Sequence, residues 1–436
     1  MSDVVSAWDI GLGGDPAPLT VRTIEVPDTG DVLAGLPGPD VVAWVRHGAG
    51  MAGWGEAARI TLPSGEDRFT AGEKWLRSVF ESAVVTDEVR LPGTGPVAFG
   101  AFTFDASSDG SALIVPRVLR GRDGNGRAWL TTVGAPHAGR LEPEPEQFQP
   151  KRAPTEVRWH DGSLPAPQFE QAVARAVAAI KASAAAGGPL RKVVLSRDLY
   201  ATAAEPIDAR VLLKRLASRY PDCYTFACDG LIGATPELLI RRAWRAVSAL
   251  VLAGTTPRGG TPAEDDALGA ALLADAKNTE EHSYAVTSLR ETLGPLCAEL
   301  HMEPAPVLIK LPNLQHLGTH VRGKLARPGP SGTLLSALGL AGAVHPTAAV
   351  CGTPTGTAME LIRELEQMDR ERYAGPVGWM DASGNGEWCI ALRCAQLSGR
   401  TARLIAGGGI VAGSDPESEL AEAQVKFRPM RNALDD

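Results

Sequence analysis

The chain has 436 residues, of which 44% are hydrophobic and 22% are charged, and its formal net charge is −8. A chain of this length can bury a large core, and its acidic balance argues against a nucleic-acid or anionic-membrane partner. No apolar run approaches the roughly 20 residues that span a bilayer, the N-terminus lacks the pattern of a signal peptide, and the six cysteines form no CxxC pair, so we expect a cytoplasmic protein with reduced thiols.

The first third of the chain is predicted to consist mainly of β-strands. Within residues 1–133, apolar runs such as DVVAWVRHG and GPVAFGAFTF alternate with turns rich in Gly, Pro and Asp, with little helix between them. Residues 134–157 then hold five prolines and no periodicity, which predicts an exposed connection. We therefore divide the chain here into residues 1–157 and residues 158–436.

Helices and strands follow in longer runs after this connection. The segment PQFEQAVARAVAAIKASAAAGG has apolar residues at helical spacing and precedes the strand RKVVLSRDLYATA. Residues 262–294 are helical by composition, and residues 376–413 indicate a meander of strands with Gly-containing turns. Because strands outnumber helices and follow one another directly, the pattern favours an α+β fold with antiparallel sheets over a parallel βαβ fold.

The closing helix carries a patterned set of charges. Residues 414–417, SDPE, predict its N-terminus, with a Pro in the first turn and an S-x-x-E capping box that begins at Ser414. Glu419, Glu422 and Lys426 follow at spacings of three and four residues, so they share one helix face. This face is either a solvated charged stripe or a site for a hard cation beside a lysine that binds an anion.

A second predicted helix offers similar groups in Lys277, Glu280, Glu281 and His282. Mg²⁺ is held by one or two carboxylates together with water and substrate oxygens. One glutamate from each of the two helices would therefore be sufficient to bind it.

Glycines crowd two places, residues 252–256 (LAGTT) and residues 406–410 (AGGGI), and each is predicted to follow a strand. Glycine lets the backbone approach a ligand closely and point N–H groups at a carboxylate or a phosphate. The alternative is a tight turn at each place. Neither matches GxGxxG between a strand and a helix, and GxxxxGK[ST] is absent, so nucleotide binding is poorly supported.

Three further charged residues are candidates for chemistry. Lys192 opens the apolar strand KVVLSR, where a lysine is usually solvated, and Glu237 lies in GATPELLI, where a carboxylate is often a surface residue. Together they would form a workable base and acid if burial tuned both groups. Arg393 lies in the apolar run IALRCA, which we expect to be a strand. Arginine is rarely buried unpaired, so an anionic partner is expected there.

Two histidines, His316 and His345, are possible ligands by type only. They show no HxH or HExxH spacing, so a zinc site is not indicated. A Ser-His-Asp hydrolase is not indicated either, because GxSxG is absent.

Taken in order, these segments resemble the chorismate-utilising enzyme family, which includes isochorismate, salicylate, anthranilate and aminodeoxychorismate synthases. The resemblance covers about residues 166–430 and is carried by KVVLSR, GATPELL, LAGTTPRG, AKNTEEH, LQHLGTHVRG, HPTAAVCGTP, YAGPVGWMDASGNGEWCIALR and AGGGIVAGSDPESELAEAQVK. It implies one large α+β fold of two facing antiparallel β-sheets with helices outside. Residues 1–157 would complete this fold, and residues 158–436 would form its chorismate-binding catalytic part.

The resemblance also implies roles for individual residues. Lys192 corresponds to the base that activates water, and Glu237 to the acid that protonates the departing hydroxyl. Glu281 and Glu422 correspond to the magnesium ligands, with Glu419 assisting from behind them. The positions that contact the substrate carboxylates or line the ring pocket are Gly254, Thr255, Gly318, Thr319, Arg393, Gly408 and Lys426.

Two motifs favour the isochorismate branch of the family. Lys192 is typical of members that use water or a lysine nucleophile. HPTAAVCGTP carries Ala349 where amine-using branches carry threonine, and Thr355, directly after it, stands where they carry lysine. We therefore expect a magnesium-dependent isochorismate synthase, which acts on chorismate for menaquinone or siderophore biosynthesis without an obligatory glutaminase subunit. A salicylate synthase, an amine-using enzyme and a catalytically silent chorismate-binding protein remain as alternatives.

Overall fold

The structure, a computed structural model, describes residues 18–134, 149–327 and 334–436. The prediction about a signal peptide concerns residues outside these ranges, and most of the predicted connection at 134–157 lies outside them too. Within the described ranges, no helix is long and apolar enough to cross a membrane. The helices are α1 (Arg68–Glu81), α2 (Ala166–Ala185), α3 (Ala209–Arg219), α4 (Pro262–Ala274), α5 (Ala276–Leu293), α6 (Ala337–Val344), α7 (Thr355–Glu366) and α8 (Pro416–Asp435).

Strands occupy most of the remaining chain. Those before the connection are β1 (Thr20–Val26), β2 (Val41–Arg46), β3 (Ala49–Leu62), β4 (Val84–Asp87), β5 (Val97–Ala101), β6 (Ser111–Arg122) and β7 (Ala128–Gly134). Those after it are β8 (Arg158–Asp161), β9 (Lys192–Thr202), β10 (Tyr224–Cys228), β11 (Leu231–Thr235), β12 (Leu238–Ala243), β13 (Ala246–Pro257), β14 (Cys297–Met302), β15 (Val307–Lys310), β16 (Leu314–Leu325), β17 (Gly352–Thr353), β18 (Pro376–Asp381), β19 (Gly386–Ile390), β20 (Cys394–Ser398) and β21 (Thr401–Ile410).

These strands pair into one continuous sheet that branches at β6. β3 lies along one side of β6, and β5 and β7 lie along the other. From β3 the first arm continues through β2, β10, β11, β20, β21 and β9. From β5 the second arm continues through β18, β19, β12, β13 and β16.

The α+β class with antiparallel pairing is confirmed, and β1 with β4 is the parallel exception among the described strands. The two sheets expected from the sequence are two arms of a single sheet, because both arms start from β6. The pairings of β2 with β10 and of β5 with β18 join strands from either side of the connection.

Two of the connections between the arms lie next to each other. Residues 236–237 connect β11 to β12, and residues 391–393 connect β19 to β20. The crossovers contact each other, since the Ile390 N–H donates to the Glu237 carbonyl at 3.2 Å. The prediction that Arg393 lies within a strand is therefore wrong. The strand ends at Ile390, and the backbone at Arg393 turns left-handed, with φ at 51°.

Apolar side chains fill the space between the arms and cover the outer face of the first arm. Phe102 and Trp388 belong to the larger cluster and are inaccessible to solvent. A smaller cluster packs α3 and α8 against the first arm through Leu212 and Phe427. Each such side chain contributes roughly 1.5–3 kcal/mol on burial, so these clusters fix how the arms and helices lie around the space that they enclose.

Two helix details differ from the predictions. α1 was not predicted, although Phe69, Leu76 and Val79 lie at helical spacing and are buried. α8 begins after Asp415, whose side chain accepts a hydrogen bond from the Ser418 N–H, so the capping box predicted at Ser414 is wrong. The Ser414 hydroxyl instead accepts a hydrogen bond from a backbone N–H of the preceding turn. Among the described helices, α4 carries a capping box, at Thr261.

Candidate active site

A cavity lies where the two arms face each other. Its walls come from β13 and β16 of the second arm, from β21 of the first arm, from both crossovers, and from α5 and α8. This convergence brings together residues that are far apart in the sequence. The predicted site residues that line the cavity are Glu237, Gly254, Thr255, Glu281, Arg393, Gly408, Glu422 and Lys426.

Lys192 does not line the cavity itself but lies directly behind its wall. Its side chain is fully buried at the start of β9, and its Nζ lies 3.1 Å from Glu281 Oε1. Gly409 makes this contact possible, because a Cβ there would lie 2.0 Å from Glu281 Oε1 and 2.7 Å from the Lys192 Cε. The solvated lysine that is usual at a strand end is therefore excluded.

The face of α8 that carries Glu419 and Glu422 is turned inward rather than toward solvent. The Lys426 Nζ lies 2.5 Å from Glu422 Oε1 and donates to the Gly407 carbonyl at 2.9 Å. Glu419 is 3% exposed, and the Lys277 Nζ donates to its Oε1 at 2.8 Å. Burial and the nearby Glu422 charge raise the pKa of Glu419. These contacts exclude a solvated charged stripe.

Glu237 lies on the first crossover, and its side chain enters the cavity from there. The residue is 5% exposed, and burial raises the pKa of its carboxyl to about 7. A backbone hydrogen bond from Leu252 and the charge of Arg393 act in the opposite direction but do not cancel the effect of burial. Glu237 can therefore carry a proton close to neutral pH.

Arg393 lies on the second crossover and contacts His316 and, through it, Thr255. An Arg393 N–H donates to His316 Nε2 at 3.3 Å, and His316 Nδ1 lies 3.0 Å from Thr255 Oγ1. Burial holds the pKa of His316 well below its ordinary value, so the ring is neutral. Because arginine only donates, Nε2 accepts and Nδ1 carries the proton that it donates to Thr255.

No carboxylate within the described ranges lies close enough to Arg393 to form a salt bridge with it. The neutral His316 orients the guanidinium without cancelling its charge. Most of the donors of Arg393 are therefore free for an anion in the cavity.

Both glycine clusters lie inside strands rather than in turns after them. Gly407, Gly408 and Gly409 belong to β21, and Gly254 belongs to β13. Gly254 has a φ of 81° where the register of β13 against β16 shifts, so it forms a bulge that turns the backbone toward the cavity. Tight turns are therefore excluded at both places.

Gly318 and Thr319 do not line the cavity. The Thr319 hydroxyl lies 2.8 Å from His282 Nε2, and His282 Nδ1 donates to the Ala253 carbonyl at 3.2 Å. Burial lowers the pKa of His282 to about 4, so the ring is neutral and accepts its bond from Thr319. These two positions support the cavity wall rather than form its surface.

Comparisons with known proteins agree with this architecture. A family model described as chorismate binding enzyme matches residues 43–435. The chain is 38% identical over 351 residues to the isochorismate synthase DhbC of Bacillus subtilis, which covers 78% of this chain and 81% of that relative. The chain belongs to the chorismate-binding enzyme family.

This chorismate-binding enzyme is also similar to a second isochorismate synthase in sequence and to a third in structure. It is 41% identical over 271 residues to the isochorismate synthase EntC of Escherichia coli, which covers 61% of this chain and 66% of that relative. The solved structure of MenF, the menaquinone-specific isochorismate synthase from Escherichia coli, matches with a TM-score of 0.74 at 26% identity. That match covers 97% of this chain and 96% of the other.

The carboxylates of this chorismate-binding enzyme fit a hard cation. Within the described ranges, no group of three or more His, Cys, Asp or Glu side chains is spaced to hold a metal ion. Mg²⁺ needs only one or two carboxylates, since water and substrate oxygens complete its shell. Glu281 and Glu422 come from two different helices, line the same cavity, and are each held by a lysine ammonium that a divalent cation could replace.

Several lining residues of the chorismate-binding enzyme were not singled out as site residues from the sequence. They include His316, which was weighed only as a metal ligand, and Val350, Arg370 and Tyr373. The position of His316 on β16, opposite Thr255 on β13, depends on strand register. No spacing rule within one element could have revealed these contacts.

Proposed function

We propose that this chain is a magnesium-dependent isochorismate synthase that converts chorismate to isochorismate. The observation that carries the proposal is that a buried acid, Glu237, lines the cavity of a chorismate-binding enzyme, and that a buried lysine, Lys192, lies behind the wall of the same cavity. The relatives named as isochorismate synthases support the same reaction.

The substrate carries two carboxylates, and the cavity offers matching donors. Arg393 has free N–H groups, and Lys426 holds its ammonium between Glu422 and the Gly407 carbonyl. The Thr255 hydroxyl accepts from His316, so its own proton is free to point at an anion. These groups would hold the carboxylates and orient the ring between Lys192 and Glu237.

Glu281 and Glu422 would hold the magnesium ion, with Glu419 behind them. When bound, the ion would neutralise the charge of the ring carboxylate. Lys192 touches Glu281, so the two side chains must separate before Lys192 can reach the substrate.

The acid and the base then act on opposite ends of the reacting system. Lys192 takes a proton from the water that attacks C2. Glu237, protonated, donates its proton to the C4 hydroxyl as that group leaves, and the double bonds shift between the two carbons. The burial that raises the pKa of Glu237 to about 7 supports its role as the acid.

The test is incubation of the purified protein with chorismate and Mg²⁺, followed by separation of the products. We expect isochorismate, and we expect its formation to stop in excess chelator. Salicylate with pyruvate, an aminated product in the presence of ammonia, or unchanged chorismate would each contradict the proposal.

A further inference from the structure

Two charged residues near the cavity have no role in the reaction as described. Glu366 ends α7 and Arg370 follows it by four residues, and the two are 0% and 3% exposed. The Arg370 guanidinium donates to both oxygens of Glu366, at 2.5 Å and 2.9 Å. The central carbon of the guanidinium lies over the ring of Phe104, 4.3 Å from its centroid.

The pair replaces a missing strand beside β9. β17 pairs with β9 at Lys192 and Val193, and the Val194 N–H still donates to the Cys351 carbonyl at 2.8 Å. Beyond that point, Arg370 donates to the Val194 carbonyl at 2.7 Å, and the Ser196 N–H donates to Glu366 Oε1 at 2.6 Å. The backbone of β9 just after Lys192 is therefore held by the ion pair.

The same guanidinium also holds a second wall of the cavity. Arg370 donates to the Val350 carbonyl at 3.0 Å. Val350 and its neighbour Ala349 both line the cavity, as does Val194 of β9. One planar group with fixed donor directions thus sets the separation of two walls that approach each other beside Lys192.

Stability alone is a weak explanation for such a pair, because apolar residues often replace buried ion pairs without loss of stability. Its bonds are directional and end on backbone groups of the cavity walls. Small displacements of reacting groups cost large factors in rate, so a rigid brace at this point has a functional consequence.

We propose that Glu366 and Arg370 are positioning residues for the reaction, which hold β9 with Lys192 and the segment with Ala349 and Val350 in fixed register. The proposal rests on the proposed role of Lys192 as the base. Arg370 lines the cavity and Glu366 does not, but the Arg370 hydrogen bonds go to Glu366 and to the Val194 and Val350 carbonyls. The pair therefore acts through the backbone of the cavity walls.

The first test compares Arg370→Lys with Arg210→Lys. Arg210 is a matched control, because it is equally buried, pairs with Asp208 and donates to backbone carbonyls away from the cavity. Lysine keeps the charge but loses the planar set of donors. We expect kcat of Arg370→Lys to fall about 10- to 100-fold while the Kd for chorismate changes less than about threefold. Arg210→Lys should lose thermal stability and keep its kcat.

The second test is a double-mutant cycle with Lys192→Ala. If Arg370 acts through Lys192, Arg370→Lys should lower kcat much less in the Lys192→Ala background than in the wild type. Equal losses in both backgrounds, or an unchanged kcat in Arg370→Lys, would overturn the positioning role alone. If Arg370→Lys does not fold, Glu366→Gln is measured in the same cycle, since it keeps the size of the side chain and an acceptor for Ser196.

Failure of the proposed function gives a different result. Absence of isochorismate with the wild-type protein, or full activity of Lys192→Ala, would overturn the acid and base assignment and the positioning role with it. A loss in Lys192→Ala without any loss in Arg370→Lys would leave the proposed function intact.

Discussion

Two buried arginines show how charges are handled in two regions of this molecule. Arg210 lies at the start of α3, in what we call the frame: α3 and the segments that it contacts away from the cavity. It donates to the Asp208 carboxylate and to the carbonyls of Leu36, Pro37 and Gln149. Arg393, at the cavity, makes its side-chain hydrogen bond to the neutral ring of His316. Both are buried, at 3% and 9% exposure.

This difference in hydrogen-bond partners indicates which buried charges are structural and which can bind a ligand. Burying a charge is unfavourable unless it is paired and hydrogen-bonded. The frame satisfies Arg210 within the protein, whereas the cavity leaves donors of Arg393 open. We therefore expect substitutions in the frame to lower stability, and substitutions at the cavity to lower binding or catalysis.

The largest effect is expected from the proposed metal ligands. Glu281→Ala or Glu422→Ala should abolish magnesium-dependent turnover while the fold remains intact, because each removes one of two carboxylates. Turnover and calorimetric titration with Mg²⁺ would measure the effect. Glu280→Ala is the matched control for Glu281→Ala. Glu280 lies on the same helix, but it is exposed and accepts a hydrogen bond from the Tyr284 hydroxyl. Full turnover in either cavity variant would remove the assignment.

The acid and base come next in size. Lys192→Ala and Glu237→Gln should each lower the rate about 10²–10⁴-fold, because positioned proton transfer contributes that much. Both directions of the isomerisation should fall, since the reverse reaction uses the same groups in exchanged roles. Steady-state rates with chorismate and with isochorismate would measure this, together with magnesium-dependent ligand binding, which should persist. Near-wild-type rates in both variants would return these residues to structural roles.

The two arginines test the comparison directly. Arg393→Ala should raise the Kd for chorismate about 10- to 100-fold, because hydrogen bonds to charged groups contribute roughly 1.5–3 kcal/mol. Its melting temperature should change little. Arg210→Ala should lose about 3–5 kcal/mol of unfolding free energy, because Asp208 is left buried and unpaired. Isothermal calorimetry and urea unfolding separate the two outcomes, and an exchange of the two patterns would break the comparison.

The dependence of stability on pH gives a smaller effect. Burial raises the pKa of Glu237 from its ordinary value of 4.5 to about 7. A raised carboxyl pKa means that stability present at low pH is lost as the pH rises through this interval. Glu237→Gln removes that loss. The unfolding free energy of the variant, relative to that of the wild type, should therefore rise by roughly 3 kcal/mol between pH 4 and pH 8. Urea unfolding at both pH values would show it, and parallel pH profiles would contradict it.

The smallest effect is expected at two threonines on paired strands, Thr255 on β13 and Thr319 on β16. Thr255 lines the cavity, whereas the Thr319 hydroxyl is used by His282. Thr255→Val should raise the Kd for chorismate by a few-fold at most, since one neutral hydrogen bond contributes about 1 kcal/mol. Thr319→Val should lower stability by a similar amount without changing the Kd. A binding defect confined to Thr319→Val would restore the ring-pocket contact expected from the sequence.

Patterns within single elements allowed much of the fold to be predicted. The alternation of the strands, the helices at 262–294 and at the C-terminus, and the common face of Glu419, Glu422 and Lys426 follow from the periods of strand and helix. The segments that carry the family resemblance could also be identified in order. Such signals are local, because spacing along one element decides which side chains are neighbours on it.

Only the tertiary structure decided which of these groups are buried, and against what. The sequence around Lys192 is that of an ordinary strand-end lysine, whereas in the structure Gly409 and Glu281 pack against its side chain and bury it. Arg393 looks like a strand residue until the chain crosses between the arms. The Glu366 and Arg370 pair shows helical spacing, but its contacts with β9 depend on where β17 ends. Burial and partnership come from contacts between distant segments, and no local period encodes them.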